Sequence, residues 1–390
     1  ESWDAFLVQM IGVVAPEPLS TEERRILLDV LLETRYRFIA GLANKNLAND
    51  FVREQFVEAW EKLAPIFRNH LADRPSRALL GYLTFLAASD ALSALEKIGP
   101  ALGLEISRNG LVRLVRLLAS DKDAGESDVL TYRTGVDMPL RDALGLGPPP
   151  STLGPAFDAE ALDLGEYHES QMDIKSYMDR IGSFFCQPAW ANSLTDIKKW
   201  LYSKENIENH VDRTQSLLMD AARDTLKKRR NSSAYSEFFP LVVVSTAWQE
   251  SCFRQFVVKR KKIVYLQSYN GSSVGLMQIN ERVWRGIYDL QHLRWDILYN
   301  AAAGCEILDL YVTKYLARDA KRFDAIQKLD DKTRAGLIYA MYNGGPGQLE
   351  KFLSRSAKGK FYDSDKLFLE KYIWLKNGHL ANISKCLIGQ

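Results

Sequence analysis

Much of what would announce a chemistry is missing from this chain. It has four cysteines, Cys186, Cys252, Cys305 and Cys386, and no two stand close enough for a C-x-x-C metal pair. The five histidines, His70, His168, His210, His292 and His379, are scattered at spacings that suggest no metal site. No apolar run is long enough to span a bilayer; the best, residues 78–94, is broken by Ser89 and Asp90 and fits a buried helix better. The chain opens at Glu1 without a basic segment and an apolar stretch behind it, as expected of a cytosolic protein or of a mature or trimmed form. A net charge of +2 argues against a dedicated nucleic-acid or membrane role. Alternating β-branched runs are short, residues 262–267 being the one good strand candidate, and no solenoid-type repeat is visible. Finally, from residue 251 to residue 280 there is no Asp or Glu at all.

What is present is mostly helical. A length of 390 residues favours two or three domains. Residues 1–143 read as an N-terminal helical domain. Ser20-Thr21-Glu22-Glu23 looks like a capping box ahead of Ile26, Leu27, Val30 and Leu31. Phe51, Phe56, Val57, Trp60, Leu63 and Phe67 recur at helical spacing. Further helices are expected over 78–97, stopped by Gly99-Pro100, and over 111–119. Residues 144–165 form a Pro/Gly-rich linker, stiff and extended where it reads GLGPPPSTLGP. Residues 166–390 form the second domain, with helical patterns around Tyr177, Ile181, Phe184 and Phe185 and again around Trp190, Trp200 and Leu201.

Chemistry concentrates in residues 241–280. The apolar run LVVVSTAWQES carries one acid, Glu250. Burial disfavours a carboxylate's charge and raises its pKa, and a raised pKa suits a general acid working near neutral pH. Taken alone, a Glu on such a helix is more often simply solvated. A glycine-bounded stretch follows, GSSVGLMQIN, and later Ala340-Met341-Tyr342-Asn343-Gly344-Gly345-Pro346-Gly347, which stops a helix. Two basic clusters, Lys227-Lys228-Arg229-Arg230 and Lys259-Arg260-Lys261-Lys262, read first as solvated helix ends or loops. The second lies between Glu250 and the glycine stretch, so attraction of an anionic polymer to the site is its sharper reading. The four cysteines, all beyond residue 180, read equally well as buried apolar residues or as disulfides in one of three pairings.

Three blocks in order, Glu250-Ser251, Gly275-Leu276-Met277-Gln278 and Tyr342-Asn343 with Gly345-Pro346-Gly347, resemble the lytic transglycosylase family, whose soluble-transglycosylase catalytic domain is similar to goose-type lysozyme. Residues 299–315 resemble the family's Asn-x-x-x-Gly helix at Asn300 and Gly304, and the resemblance covers 238–350. It implies a mainly α protein: an N-terminal helical domain plus a lysozyme-like α-helical catalytic domain with at most a small β-hairpin. It implies that Glu250 is the single catalytic acid/base and that Tyr342 hydrogen-bonds it. Met277 and Gln278 would line the cleft, and Ser268 would match a family Ser that touches the sugar N-acetyl group. Ser251, Gly275, Asn280 and Asn343 complete the substrate-binding set. Extra residues between Glu250 and the glycine stretch, one more between Gly271 and Gly275, and Met341 beside Tyr342 depart from the family pattern. Met277 also reads as ordinary core, Asn343 and Gly344 as turn residues, and Tyr342 as an interface aromatic.

The missing acids decide what chemistry follows. Most glycoside hydrolases use two carboxylates. The goose-type lysozymes carry Asp residues in the interval where this chain has Arg254, Lys259, Arg260, Lys261 and Lys262. The expected activity is therefore that of a peptidoglycan lytic transglycosylase. It would cleave the N-acetylmuramic acid–N-acetylglucosamine β-1,4 bond and form a 1,6-anhydro product, with one Glu as acid and then base. No metal and no cofactor is expected. The alternatives are a hydrolytic muramidase of goose-lysozyme type, with a carboxylate such as Glu281 turned into the cleft, and a non-catalytic peptidoglycan-binding scaffold. Peptidoglycan glycan strands are the expected partner, together with a protein partner of the N-terminal helical domain and no nucleic acid. The expected location is the periplasm or cell envelope.

Overall fold

The computed structural model describes residues 8, 11, 19–42, 50–71, 134–154, 161–163, 197–228, 235–316, 320–379 and 381–388. The helices expected over 78–97 and 111–119, the aromatic patterns between 166 and 196, and Cys186 lie outside the described residues. The chain divides into two compact units, Glu1–Pro149 with Arg285–Ile287, and Pro150–Trp284 with Tyr288–Gln390.

In the first unit, helix α1 (Thr21–Leu42) begins at the expected capping box. Ser20 N donates to Glu23 Oε2 at 2.9 Å, and Glu23 N donates to Ser20 Oγ at 3.2 Å, so two orphan amides are satisfied reciprocally. Helix α2 (Asp50–Leu71) packs on α1 through Trp60, Leu63 and Phe67, which are buried as their spacing requires. Helix α3 (Met138–Leu144) is capped by Asp137, whose side chain accepts from Leu140 N, and ends at Gly145 with a φ of 69°. Its Arg141 is fully buried. The guanidinium donates to the carbonyls of Gly147 at 2.8 Å, Pro148 at 3.1 Å and Ile287 at 2.9 Å. The start of the proline-rich segment is thus gripped by a buried cation, a contact that composition alone does not reveal.

The second unit is a helical core with a small β element. Helix α4 (Ile207–Lys227) packs on α5 (Phe239–Ser251) and on α8 (Ile297–Leu310), which continues into a π turn at Tyr311–Tyr315. Between these two lie the short α6 (Glu281–Trp284) and α7 (Leu290–Trp295). After the π turn come α9 (Ala320–Gln327), α10 (Asp331–Gly344), α11 (Gln348–Ala357), α12 (Asp363–Lys376) and α13 (Ala381–Ile388). Helix α5 is apolar all round because it is enclosed: α4, α8, α10 and α12 all pack against it, and Val242, Val243, Val244, Ala247 and Trp248 are buried.

The expected strand is present as β3 (Lys262–Tyr265), hairpinned to β2 (Phe256–Lys259). The hairpin gains a third strand, β1 (Leu162–Asp163), antiparallel to β3, and a separate ladder pairs β4 (Ser273–Val274) with β5 (Ile279–Asn280). Two-residue strands carry too little periodicity to be read from sequence.

The structure forms one disulfide, Cys252–Cys386, with Cα atoms 6.1 Å apart, while Cys305 is free and buried, so none of the three two-bond pairings is present among the described residues. The bond ties α13 to the residue that ends α5. Cross-links stabilise largely by restricting the unfolded chain. Cys386→Ala is therefore expected to lower stability by about 2–3 kcal/mol, with a thermal midpoint down by about 5–10 °C. Calorimetry of the variant beside the reduced parent checks this: the two should unfold together.

Candidate active site

Glu250 sits on the last turn of α5, where an apolar helix meets the surface, and its residue is only half-buried. The carboxyl itself is desolvated. Burial raises its pKa to about 7, against a smaller opposing pull from a hydrogen bond with Tyr339. The Tyr339 hydroxyl donates to Glu250 Oε1 at 2.8 Å. Tyr339 lies on α10, 1% exposed, with its ring stacked on Phe368 of α12 at a centroid distance of 4.2 Å and an interplanar angle of 2°. The phenol is thus fixed by a flat aromatic contact before it reaches the carboxyl, and the Glu250 rotamer is fixed in turn.

This corrects the expected partner. Tyr342 does not hold Glu250; its hydroxyl donates to the Met277 carbonyl at 2.7 Å. The two tyrosines are three residues apart, almost on one face of α10, so spacing alone could not decide which of them meets the acid. Removing the Tyr339 hydroxyl takes away a bond that favours the charged carboxylate, so the pKa of Glu250 should rise further. In Tyr339→Phe, the alkaline limb of the pH–rate profile for kcat/KM is expected to move upward by about one unit, with a lower rate at its plateau. An unshifted limb would mean that Glu250 does not feel this phenol.

The backbone beside Glu250 is unusual. Cys252 and Phe253 stand at φ 51° and 61°, and Gln278, in the glycine turn, at φ 48°. Left-handed conformations of non-glycine residues persist only where surrounding structure over-determines them. Here the supports are visible. Cys252 is held by its disulfide and by its N–H bond to Trp248 O. Phe253 is fully buried, and its carbonyl accepts from His210 Nε2 at 2.9 Å. Because a carbonyl can only accept, Nε2 carries the proton, and burial lowers the pKa of this histidine against the opposing pull of the Phe253 carbonyl.

The glycine turn is wired to the core from two sides. The Gln255 carboxamide oxygen accepts from Leu276 N at 2.7 Å, while its amide donates to the Leu293 and Arg294 carbonyls. Asn300 accepts from Met277 N at 2.8 Å and donates to the carbonyls of Val274 and Leu293. Both side chains are wholly buried. The Met277 side chain lies on Gly304, where an added Cβ would come within 2.5 Å of it. The Asn-x-x-x-Gly spacing on α8 thus has a mechanical meaning. Asn300 holds the turn's backbone, and one helical turn later Gly304 makes room for its methionine.

The other expected binding residues differ in burial and in the structural contacts they make. Met277 is buried in the core and does not line an open surface, because its side chain fills the space over Gly304. Ser251, 2% exposed, donates to Ala247 O and accepts from Arg254 N, closing the end of α5. Gly275, at φ 75°, is buried against Asn300 and Gln255. Asn280 caps α6 by accepting from Arg282 N and Val283 N. The Ser268 hydroxyl donates to Asn270 Oδ1 and accepts from Ser273 N, which leaves one lone pair free. Gln278 is half-buried with its amide on Gly275 O, and Asn343 is exposed in the last turn of α10. Sequence reasoning missed Tyr339 and Gln255. Neither lies in a recognisable block, and each acts through a contact distant in sequence.

Glu281, the carboxylate the hydrolytic alternative would turn into the site, is engaged elsewhere. Glu281 is clamped by Arg294, with Nε to Oε1 at 2.6 Å and Nη2 to Oε2 at 3.0 Å. Among the described residues, no carboxylate is hydrogen-bonded to Glu250, and no cluster of His, Cys, Asp or Glu could hold a metal ion.

Residues 230–364 match the family described as the transglycosylase SLT domain. No curated protein and no solved structure matches the chain.

Proposed function

From the premise that residues 230–364 are a lysozyme-like SLT transglycosylase domain acting on peptidoglycan, we propose that the chain is a lytic transglycosylase in which Glu250 alone performs both proton transfers. The observation that carries this is the desolvated carboxyl of Glu250, oriented by Tyr339 and hydrogen-bonded to no carboxylate among the described residues, with Glu281 locked in its ion pair with Arg294.

In the first step the protonated carboxyl gives its proton to the oxygen of the N-acetylmuramic acid–N-acetylglucosamine bond as that bond breaks. A pKa near 7 leaves a substantial protonated share at neutral pH, which an ordinary Glu would not have. The substrate's own N-acetyl group stabilises the oxocarbenium-like carbon. In the second step the Glu250 carboxylate takes the proton from the C6 hydroxyl as that oxygen attacks C1. The acid is regenerated, and the muramic product closes to its 1,6-anhydro form. Water enters neither step, so no second carboxylate is required to activate it. The enzyme works in the periplasm or cell envelope, where this polymer lies.

Because the first step needs the acid form, kcat/KM is expected to fall above about pH 7. The deciding experiment is digestion of purified peptidoglycan with mass analysis. Products lighter by one water than the hydrolytic muropeptides support the proposal. Hydrated reducing ends as the main products would replace it with a muramidase.

A further inference from the structure

The β2–β3 hairpin is built against its own stability. Its two-residue turn, Arg260-Lys261, has both residues at positive φ, 51° and 63°. That is the type I′ pattern, for which Asn-Gly is the favoured pair because long L side chains resist it. The flanking residues Lys259 and Lys262 stand directly opposite one another across the ladder, a like-charge pair that weakens it. All four side chains are exposed. Among the described residues none of the four forms an ion pair, although Asp163 on β1 faces Lys262 in register. Lysines on an edge strand are common as protection against pairing with other chains. That accounts for Lys259 on the edge strand β2, but not for two cations placed in left-handed positions.

The base of this finger is fixed to the candidate active site. Leu266 N donates to Gln255 O at 2.8 Å, and Gly275 N to Leu266 O at 2.9 Å. The Gln255 side chain holds Leu276 N of the glycine turn. From Phe256 to Lys259 the strand advances about 10 Å. The tip therefore stands about 10 Å along the strand from its base, which is hydrogen-bonded to the glycine turn that carries Gln278.

We propose that the hairpin tip, Lys259-Arg260-Lys261-Lys262, is a docking finger for the carboxylates of the peptide stems on peptidoglycan. The inference rests on the transglycosylase reading for its choice of polyanion. A glycan strand bound at Glu250 would extend past it, and its peptide stems present carboxylates at regular intervals. Several exposed cations held side by side at a hairpin tip suit such a diffuse array, and attraction of this kind is screened by salt.

The test is co-sedimentation of the full chain with purified sacculi, comparing the parent with Arg260→Asn/Lys261→Gly. That pair removes two charges and installs the residues the turn prefers, so the variant should melt at or above the parent's temperature. At low salt its affinity for native sacculi is expected to fall about tenfold, and the difference should vanish at high salt. On sacculi whose carboxylates have been amidated, parent and variant should bind alike. Equal binding of both proteins to native sacculi overturns the proposal, as does the same loss on amidated sacculi. So does a parent held by phosphatidylglycerol vesicles and not by sacculi, which would make the finger a lipid contact. Product masses are read separately. Charge-dependent binding without an anhydro product leaves the finger standing and removes the proposed reaction; the converse result removes only the finger.

Discussion

Glu250→Gln should leave the protein folded and abolish the release of soluble fragments from peptidoglycan, a loss on the order of a thousandfold or more. Gln keeps the size and hydrogen-bonding capacity of the side chain but has no proton to give and no charge with which to recover one. Both proposed steps fail at once. Stability provides an independent control whose sign can be worked out. The folded pKa of Glu250, about 7, lies above its unfolded value because burial penalises the charge. The folded state therefore binds this proton more tightly than the unfolded chain does. The associated stability is fully present below the unfolded pKa and is lost as pH rises through about 7. Gln undergoes no such loss. The variant should thus equal or exceed the parent's thermal midpoint at pH 8 while being inactive. Turnover by a correctly folded Glu250→Gln protein would show that another group supplies the acid.

The second large effect is structural. Gly275→Ala is expected to cost about 4 kcal/mol, seen as a thermal midpoint lower by about 10 °C. Three penalties coincide at this position. A Cβ would stand 2.3 Å from Asn300 Nδ2 and about as close to both ends of the Gln255 carboxamide. These are not free ends that can swing aside, since each is committed to backbone partners. Moving them strands buried donors and acceptors, and φ 75° is itself unfavourable for alanine. Activity should fall with stability, because Gln278 hangs on the same turn. A Gly275→Ala protein with an unchanged midpoint would mean that the turn can relax away from α8. By contrast, Gly271, also at positive φ, has nothing within 4 Å of a built Cβ, so its alanine variant should suffer only the conformational penalty.

Taken together, the site residues fall into two mechanical groups. Glu250 and Tyr339 form a short chain of orientation that runs back to Phe368 on α12. Gln255, Asn300, Gly304 and Tyr342 shape the turn that carries Gln278. Helix α10 serves both groups through tyrosines one turn apart, so a small shift of that helix would disturb acid and turn together.

The sequence determined a good deal. The capping box at Ser20, the helix through Trp60 and Phe67, the enclosed helix before Glu250 and the strand at residues 262–265 are all local. Each is written in residue spacing and in the conformational preferences of a few neighbours. The absence of acids between 251 and 280 is a property of the chain itself, and it removed the simplest two-carboxylate chemistry from that interval. The order of the Glu250, Gly275 and Tyr342 blocks likewise needed no coordinates. Tertiary structure alone decided which tyrosine meets Glu250, where Met277 points, which cysteine pairs with Cys252, and whether Glu281 is free. The reason is common to all four. Each depends on tertiary contacts that residue spacing does not fix, from thirteen residues apart for Glu281 and Arg294 to 134 for Cys252 and Cys386, and within a helix the choice between residues three apart is set by packing against partners outside it rather than by pattern. The raised pKa of Glu250 belongs to this second kind, since desolvation is produced by every element that closes over the end of α5.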